Sequence, residues 1–278
     1  MKRLKTFTLL TTTLLVLSSC GSSGGQEEEP TSGYYHPTLN ETWQWQLKGT
    51  INTSYDVTLY DIDLFDTPTA TITALHAKGK KVLCYFSAGS YENWREDKGE
   101  FLAPELGNTL DGWEDEQWLD IRSENVKRIM RQRIDLAKSK GCDGVEPDNV
   151  DGYTTDNNSG FDFGSEEQLT YNRFLASYAH EQGLFIALKN DLDQIEALVE
   201  VFDLAVNEQC FEYGECAMLR PFIEQNKPVL NAEYLTAYRE DATQRTALCQ
   251  EAKSQQISTL ILPLGLDDSF RYSCQDHP

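Results

Sequence analysis

The sequence predicts an α/β fold of the (β/α)8 TIM-barrel type, built as a single domain. Eight short apolar or alternating segments recur at fairly regular spacing, and helix-like stretches lie between most of them. Alternating strands and helices imply a parallel sheet, and eight such units imply a closed barrel. The residues just after these segments are strongly polar and aromatic, as on the barrel face where chemistry is usually built. A doubly wound open sheet is the runner-up, but no GxGxxG or GxxxxGK[ST] follows a strand, so nucleotide binding has no support.

The strand candidates, in order, are 42–47, 57–60, 82–86, 144–146, 184–188, 204–206, 229–232 and 259–262. The first connection, from Leu47 to Val57, is short for a full helix, so that unit is irregular. Residues 71–78 place Ile72 and Leu75 on one side, with Gly79 as a stop. Residues 123–140 start with Ser123 as a plausible cap and put Val126, Ile129, Met130, Ile134, Leu136 and Ala137 on one broad face. Residues 166–182 do the same with Tyr171, Phe174, Leu175 and Tyr178, followed by Gly183. Stretches 192–199, 218–225 and 241–255 complete the helical set. Pro147 is expected to end the pairing of the fourth strand.

The first twenty residues stand apart. Lys2, Arg3 and Lys5 form a basic start, and 7–17 supply an apolar stretch suited to a signal-peptide core. The run Leu17-Ser18-Ser19-Cys20-Gly21 resembles a bacterial lipobox, which implies cleavage and a lipid on Cys20. Residues 21–33 carry Gly, Ser, Glu and Pro with no sizeable apolar side chain and read as a flexible tether. The division is therefore 1–20 signal and lipidation cysteine, 21–33 tether, 34–278 barrel. An exported protein of the cell envelope or outer membrane, or an extracellular one, is expected, with the membrane touched only through the lipid.

Removing Cys20 leaves six cysteines, an even number that suggests disulfides. Six allow fifteen pairings. Cys210 with Cys216 would clip a loop, Cys249 with Cys274 would pin the C-terminal tail, and Cys84 with Cys142 would remain. No CxxC occurs and the four histidines are scattered, so no metal and no cofactor is expected. Asp156, Asn157, Asn158 and Gly160 lack the spacing of a calcium loop. The formal charge is −21, and losing Lys2, Arg3 and Lys5 leaves 21 basic against 45 acidic side chains, a net −24. Such a surface disfavours nucleic acid and would attract a cationic polymer.

The strand ends carry the candidate chemistry. Trp45 follows the first, Asp61 and Asp63 the second, and Tyr85 the third. Glu146, Asp148, Asn149 and Asp151 stand together at the fourth, in the run GVEPDNVDGY. Lys189 and Asn190 follow the fifth, Glu208 the sixth, Glu233 the seventh. Acids are costly to bury unpaired, so this cluster needs a sugar, a metal or basic side chains as partner. Rings that stack on sugar faces and carboxylates that accept hydroxyl hydrogen bonds together suit a carbohydrate, and glycoside hydrolysis needs two carboxylates flanking the bond.

At these residues the chain resembles glycoside hydrolase family 114, the endo-α-1,4-polygalactosaminidases. The matching pieces are WQWQLKG, YDIDLFDT, VLCYFSAGSYENWR, WLDIR, GCDGVEPDNVDGY, ALKND, VNEQC and NAEY, spread over about residues 40 to 265. The resemblance implies a (β/α)8 barrel, an amino-sugar polymer containing galactosamine as substrate, and Asp148 with Glu208 as the catalytic pair. Glu208 would be the general acid; Asp148 would be the nucleophile if the two are close, or the base for water if they are wider apart. Asp61, Asp63, Tyr85, Glu146, Asn149, Asp151, Lys189, Asn190, Glu233 and Trp45 would bind substrate. The alternatives are a non-catalytic glycan-binding lipoprotein on the same barrel and a glycosidase for another α-linked sugar.

Overall fold

A computed structural model describes residues 33–39 and 41–276. The signal stretch, Cys20 and the tether up to residue 32 lie outside them. Eight parallel strands order as the sequence predicts: β1 (Trp43–Gln46), β2 (Leu59–Asp63), β3 (Lys81–Ser87), then β7 (Gly144–Asp148), β8 (Phe185–Lys189), β9 (Leu204–Glu208), β10 (Val229–Glu233) and β11 (Ile257–Ile261). Between β3 and β7 an antiparallel sheet is inserted, made of β4 (Ser90–Glu92), β5 (Leu106–Leu110) and β6 (Trp113–Leu119). A short β12 (Tyr272–Ser273) runs antiparallel beside β11. The ring is drawn together at its join by side chains: Trp43 Nε1 donates to the Ser258 carbonyl (3.0 Å), Ser258 Oγ to the Glu41 carbonyl (2.8 Å) and Arg271 Nη2 to the Trp43 carbonyl (2.9 Å).

The helices on the outside are α1 (Thr69–Ala77), α2 (Glu124–Lys140), α3 (Ser165–Glu181), α4 (Ile195–Leu198), α5 (Cys210–Tyr213), α6 (Arg220–Glu224), α7 (Thr236–Glu240) and α8 (Ala242–Ser254). Ser123 caps α2 by accepting from Asn125 and Val126 N–H groups, and Gly141 ends it in the left-handed conformation, as the sequence signals imply. No helix fills the short β1–β2 connection. Among the described residues no helix is long and apolar enough to cross a membrane.

Strand alternation divides the core in two. Val82, Cys84, Phe86, Val145, Ile186 and Leu188 face outward against Ile129, Met130, Ile134 and Leu175 of the helices. Trp43, Trp45, Leu59, Leu83, Phe185, Ala187, Leu204, Val206, Leu230, Ala232 and Leu260 fill the barrel interior. Gly144 is required there, since a Cβ on it would lie 2.5 Å from the Phe185 ring. Pro147 does not end β7. Pairing with β3 continues through Phe86–Pro147 to Ser87–Asp148, while pairing with β8 covers Gly144 and Val145. A proline has no N–H for one neighbour but leaves the other ladder intact.

All three disulfides connect as the cysteine spacing suggests: Cys84–Cys142, Cys210–Cys216 and Cys249–Cys274. They fit an extracellular protein, since a reducing cytosol does not sustain such bonds. Cys84–Cys142 closes a span of 58 residues that contains the inserted sheet and α2. Replacing both by Ala should cost about 2–4 kcal/mol, which for a domain of this size lowers Tm by about 5–15 °C. Thermal unfolding of the double variant against wild type checks this, and an unchanged Tm would remove the bond from the list of stabilising contacts.

Candidate active site

The upper half of the barrel interior is built from the same inward positions as the apolar half. Continuing each inward row towards the strand ends gives Asp61 and Asp63 on β2, Tyr85 on β3, Glu146 and Asp148 on β7, Lys189 on β8 and Glu208 on β9. Asp148, Lys189 and Glu208 are the last residues of three successive strands. Each is followed by a residue at positive φ: Asn149 (61°), Asn190 (47°) and Gln209 (61°). The chain therefore turns sharply away and leaves the preceding side chain at the cavity floor. Such conformations cost about 1–3 kcal/mol each outside glycine and concentrate at functional sites.

Lys189 is the centre. It is 2% exposed, and its Nζ lies 3.1 Å from Asp148 Oδ1, 3.2 Å from Glu208 Oε2 and 3.4 Å from Glu146 Oε1. Nζ also stands 4.9 Å from the Trp45 ring centroid and 5.8 Å from that of Tyr85. Burial alone would lower the lysine pKa, but the charges of Asp148, Glu208 and Glu146 outweigh it and hold the ammonium well above its ordinary value. Asp148 further accepts from the Tyr85 hydroxyl (2.9 Å) and the Asn149 N–H (2.8 Å). Glu208 accepts from the Tyr234 hydroxyl at 2.5 Å, and its own N–H donates to Asn190 Oδ1 (3.0 Å). Asn149 is locked by Nδ2 donating to Ser87 Oγ and Ser90 Oγ. Its carbonyl passes so close to Gly89 that a Cβ there would meet it at 1.6 Å, so only glycine fits.

Above this floor opens a cavity of about 420 Å³, lined by Asp148, Glu208, Trp45, Tyr85 and the inserted sheet, which contributes Glu92, Trp94, Trp113, Glu116 and Trp118. Nine acidic and three basic side chains line it. The insert is anchored by buried charge: Arg95 contacts Asp63 at 2.7 Å and Glu92 at 2.7 Å, and Arg133 of α2 holds Asp97 at 2.8 Å. Burial pushes Glu116 up to about 7.

The sequence-predicted residues sort by depth and by strand face. Asp148, Asn149, Asp151, Asn190, Glu208, Tyr85, Trp45, Lys189 and Asp63 line the cavity. Asp63 is nonetheless occupied, accepting from Arg95 and from the Phe65 and Asp66 N–H groups. Trp45 is 1% exposed, so its ring is a wall under Lys189 more than an open platform. Asp61 and Glu146 are fully buried one layer below and do not line this cavity. Glu233 is a correction: it faces outward, where it accepts from Phe211 N–H and Asn231 Nδ2, because Leu230 and Ala232 take the inward positions. The same alternation sends Tyr234 inward to Glu208. Period-two counting along β10 would have found it. The inserted sheet was missed, although the alternating WEDEQWL carried its signal.

Asp61 and Glu146 form a tight acid pair. Burial first, then the neighbouring Glu146 charge, push Asp61 well above the carboxylate range, and burial against the pull of Lys189 leaves Glu146 up at about 7. Asp61 is the more strongly raised of the two, since Glu146 has the Lys189 charge beside it.

Residues 25–277 match the sequence pattern of glycoside-hydrolase family GH114. Among solved structures the chain is similar to Ega3 of Aspergillus fumigatus, crystallised in complex with galactosamine. The two share 42% identity with a TM-score of 0.81, over 86% of this chain and 97% of that one. The glycoside hydrolase domain of PelA from Pseudomonas aeruginosa shares 16% identity with a TM-score of 0.64, over 84% of this chain and 97% of that one, a likeness of fold. No individually curated protein matches.

Raised carboxylates fix the sign of a pH effect. Glu116 and Glu146 at about 7, Asp151 at about 6 and Asp191 at about 8 hold protons in the folded state that the unfolded chain releases near pH 4. Their contribution to stability is full at acid pH and is lost as pH rises through 6 to 8. Tm should therefore fall from pH 5 to pH 8.5, and Asp61→Asn, which supplies a permanent donor to Glu146, should make that fall shallower. A Tm that rises over this range would contradict the raised carboxylates.

Proposed function

The chain belongs to glycoside-hydrolase family GH114 and is a glycoside hydrolase, and from that premise we propose that it cuts α-1,4-linked galactosamine-containing polysaccharide internally. The observation that carries this reading is the pair Asp148 and Glu208, held on adjacent strand ends by one buried lysine at the floor of an acidic, tryptophan-lined cavity. The likeness to Ega3, whose structure holds galactosamine, supports the choice of sugar. Free amines on such a chain are cationic, and the net −21 of the protein draws them in by long-range attraction.

Roles follow from geometry. Asp148 Oδ1 and Glu208 Oε2 lie 3.1 and 3.2 Å from the same Nζ, so those oxygens are no farther apart than these two contacts end to end. That is narrower than the ~6.5–9.5 Å an interposed water needs and compatible with the ~5–5.5 Å of a nucleophile and its acid. Asp148 accepts three hydrogen bonds, from Tyr85, Asn149 N–H and Lys189, a ligation that suits a fixed anion. It attacks the anomeric carbon. Glu208, the more exposed of the two, delivers a proton to the leaving oxygen as the C–O bond breaks, and then accepts one from the water that releases the glycosyl-enzyme. Lys189, tied to both, positions them and spreads the charge that passes between them.

Cys20, outside the described residues, would carry lipid, and the tether would hold the barrel at a membrane surface. Cys20→Ser should move the protein from the membrane fraction to the soluble one; retention in membranes would sink the anchor.

Asp148→Asn and Glu208→Gln should each lower kcat by about 10³-fold or more on a galactosamine polymer, with Tm close to wild type. The reducing sugar released by wild type should retain its anomeric configuration by NMR. Near-normal turnover in both variants, or inverted product, overturns the assignment.

A further inference from the structure

The two reacting carboxylates are held in matched fashion. Each gives one oxygen to Lys189 Nζ, Asp148 Oδ1 at 3.1 Å and Glu208 Oε2 at 3.2 Å. Each gives its other oxygen to a tyrosine hydroxyl: Tyr85 donates to Asp148 Oδ2 at 2.9 Å, and Tyr234 to Glu208 Oε1 at 2.5 Å. We propose that Tyr234 is a positioning residue for the second half of the reaction, holding Glu208 in the form that accepts a proton from water. Release of the glycosyl-enzyme, more than its formation, then depends on this hydroxyl. The inference rests on the hydrolase reading above and adds a residue that sets the balance between its two steps.

Tyr234 lies where it can act on Glu208 without touching sugar. It is the first residue after β10, it is 9% exposed, and its ring belongs to the apolar cluster of the barrel interior. It lines neither the first cavity nor the one of about 340 Å³ that adjoins it at Glu208. The neighbouring backbone fixes it there. Gln209 N–H donates to the Ala232 carbonyl (2.8 Å) and Leu262 N–H to the Glu233 carbonyl (3.0 Å), while the Glu233 side chain is held outward by the Phe211 N–H (2.9 Å). The first of these bonds ties the end of the strand that carries Glu208 to the end of the strand that carries Tyr234.

A hydroxyl that donates to a carboxylate makes a charge-assisted bond, about twice as strong as one to a neutral acid, so it favours the ionised form. Burial, then the Glu208 charge, hold the Tyr234 phenol well above its ordinary range, and it therefore stays a donor. Around Glu208 stand Lys189 of β8, Glu146 and Asp148 of β7 and, across the smaller cavity, Asp151, Asp191, Asp193 and Glu215. Of these neighbours Asp148 is the one whose charge the reaction changes. In the first step its carboxylate attacks the anomeric carbon, the glycosidic C–O bond breaks, and the Glu208 proton passes to the leaving oxygen. In the second a water proton passes to Glu208, the water oxygen joins the anomeric carbon, and the bond to Asp148 breaks to restore the carboxylate. The Asp148 charge favours the protonated Glu208 needed first; Lys189 and Tyr234 favour the ionised Glu208 needed next.

The partition between the two steps tests this. Tyr234→Phe keeps the ring and removes only the hydroxyl. On an α-1,4-galactosamine polymer it should lower kcat by about tenfold or more, as loss of a hydrogen bond to a charged group implies. The covalent adduct on Asp148, quenched in acid and read by intact-protein mass spectrometry, should rise severalfold over wild type. The alkaline limb of kcat/KM should move up by about one pH unit, because the acid then keeps its proton to higher pH. Tyr85→Phe is the comparison. Asp148 attacks in one step and departs in the other, so the Tyr85 hydroxyl touches both alike, and the rate should fall without added adduct. Incorporating 3-fluorotyrosine at Tyr234, a nearly isosteric change that strengthens the donor, should move the alkaline limb down, and this arm stands even if Tyr234→Phe does not fold. An unchanged adduct level with an unmoved limb, or equal accumulation in Tyr234→Phe and Tyr85→Phe, overturns the role of Tyr234 and leaves hydrolysis standing. No cleavage of the polymer by wild type would instead sink the hydrolase reading, and this inference with it.

Discussion

Everything at the floor of this barrel is arranged around one buried ammonium. Removing Lys189 Nζ from water is expensive, and the cost is offset only by the carboxylates of Asp148, Glu208 and Glu146 and by the faces of Trp45 and Tyr85. The dependence is mutual. Without the lysine, three carboxylates would crowd one low-dielectric pocket, and two of them are the groups a glycosidase must hold at a fixed gap. A fourth ionised acid at Asp61 would add to the same crowding, and burial with the Glu146 charge pushes Asp61 well above the carboxylate range. Glu146 and Asp61 lie beneath the lysine, fully buried, and Glu146 contacts its Nζ at 3.4 Å.

The apolar half of the barrel makes this cluster possible. Phe185 fits because Gly144 faces it, and with Trp43, Leu59, Leu204 and Leu230 it packs a dry plug under the charges. Above the plug, successive strand ends must release their last side chains upward and turn away at once. Asn149, Asn190 and Gln209 take that turn in the left-handed region, and side-chain bonds over-determine two of them: Asn149 to Ser87 and Ser90, Asn190 to Asn207 and the Glu208 N–H. Those bonds tie two of the three turns to the neighbouring strand ends.

Much of this was legible from residues alone, and the reasons for the rest are physical. Hydrophobic periodicity located all eight barrel strands, and the acids after β7 and β9 lie where barrels place chemistry. Depth was not legible: Asp61, Glu146 and Asp148 are all inward, and only the packed layer tells which ones reach the cavity. Face was legible but uncounted, since one step of alternation exchanges Glu233 for Tyr234. The inserted sheet was hidden for a different reason. Arg95 is buried against Asp63 of β2 and Glu92 lies 3.6 Å from Arg133 of α2, so a segment rich in charge reads as solvent-exposed loop until those distant partners are seen.

The insert also explains why the cleft is asymmetric. On its side the cavity has Trp94 and Trp113, both 48% exposed, and cations that balance part of the acid. On the far side of Glu208 lie Tyr213, Met218 and acids without a counter-ion. A polymer laid across the strand ends, as the proposed function has it, would find exposed rings on both sides of Asp148 and Glu208, with the balancing cations on one side only. Because Lys189 holds Asp148 and Glu208 at one spacing whatever lies above them, discrimination between sugars under the proposed function falls to the side chains that line the cleft on either side.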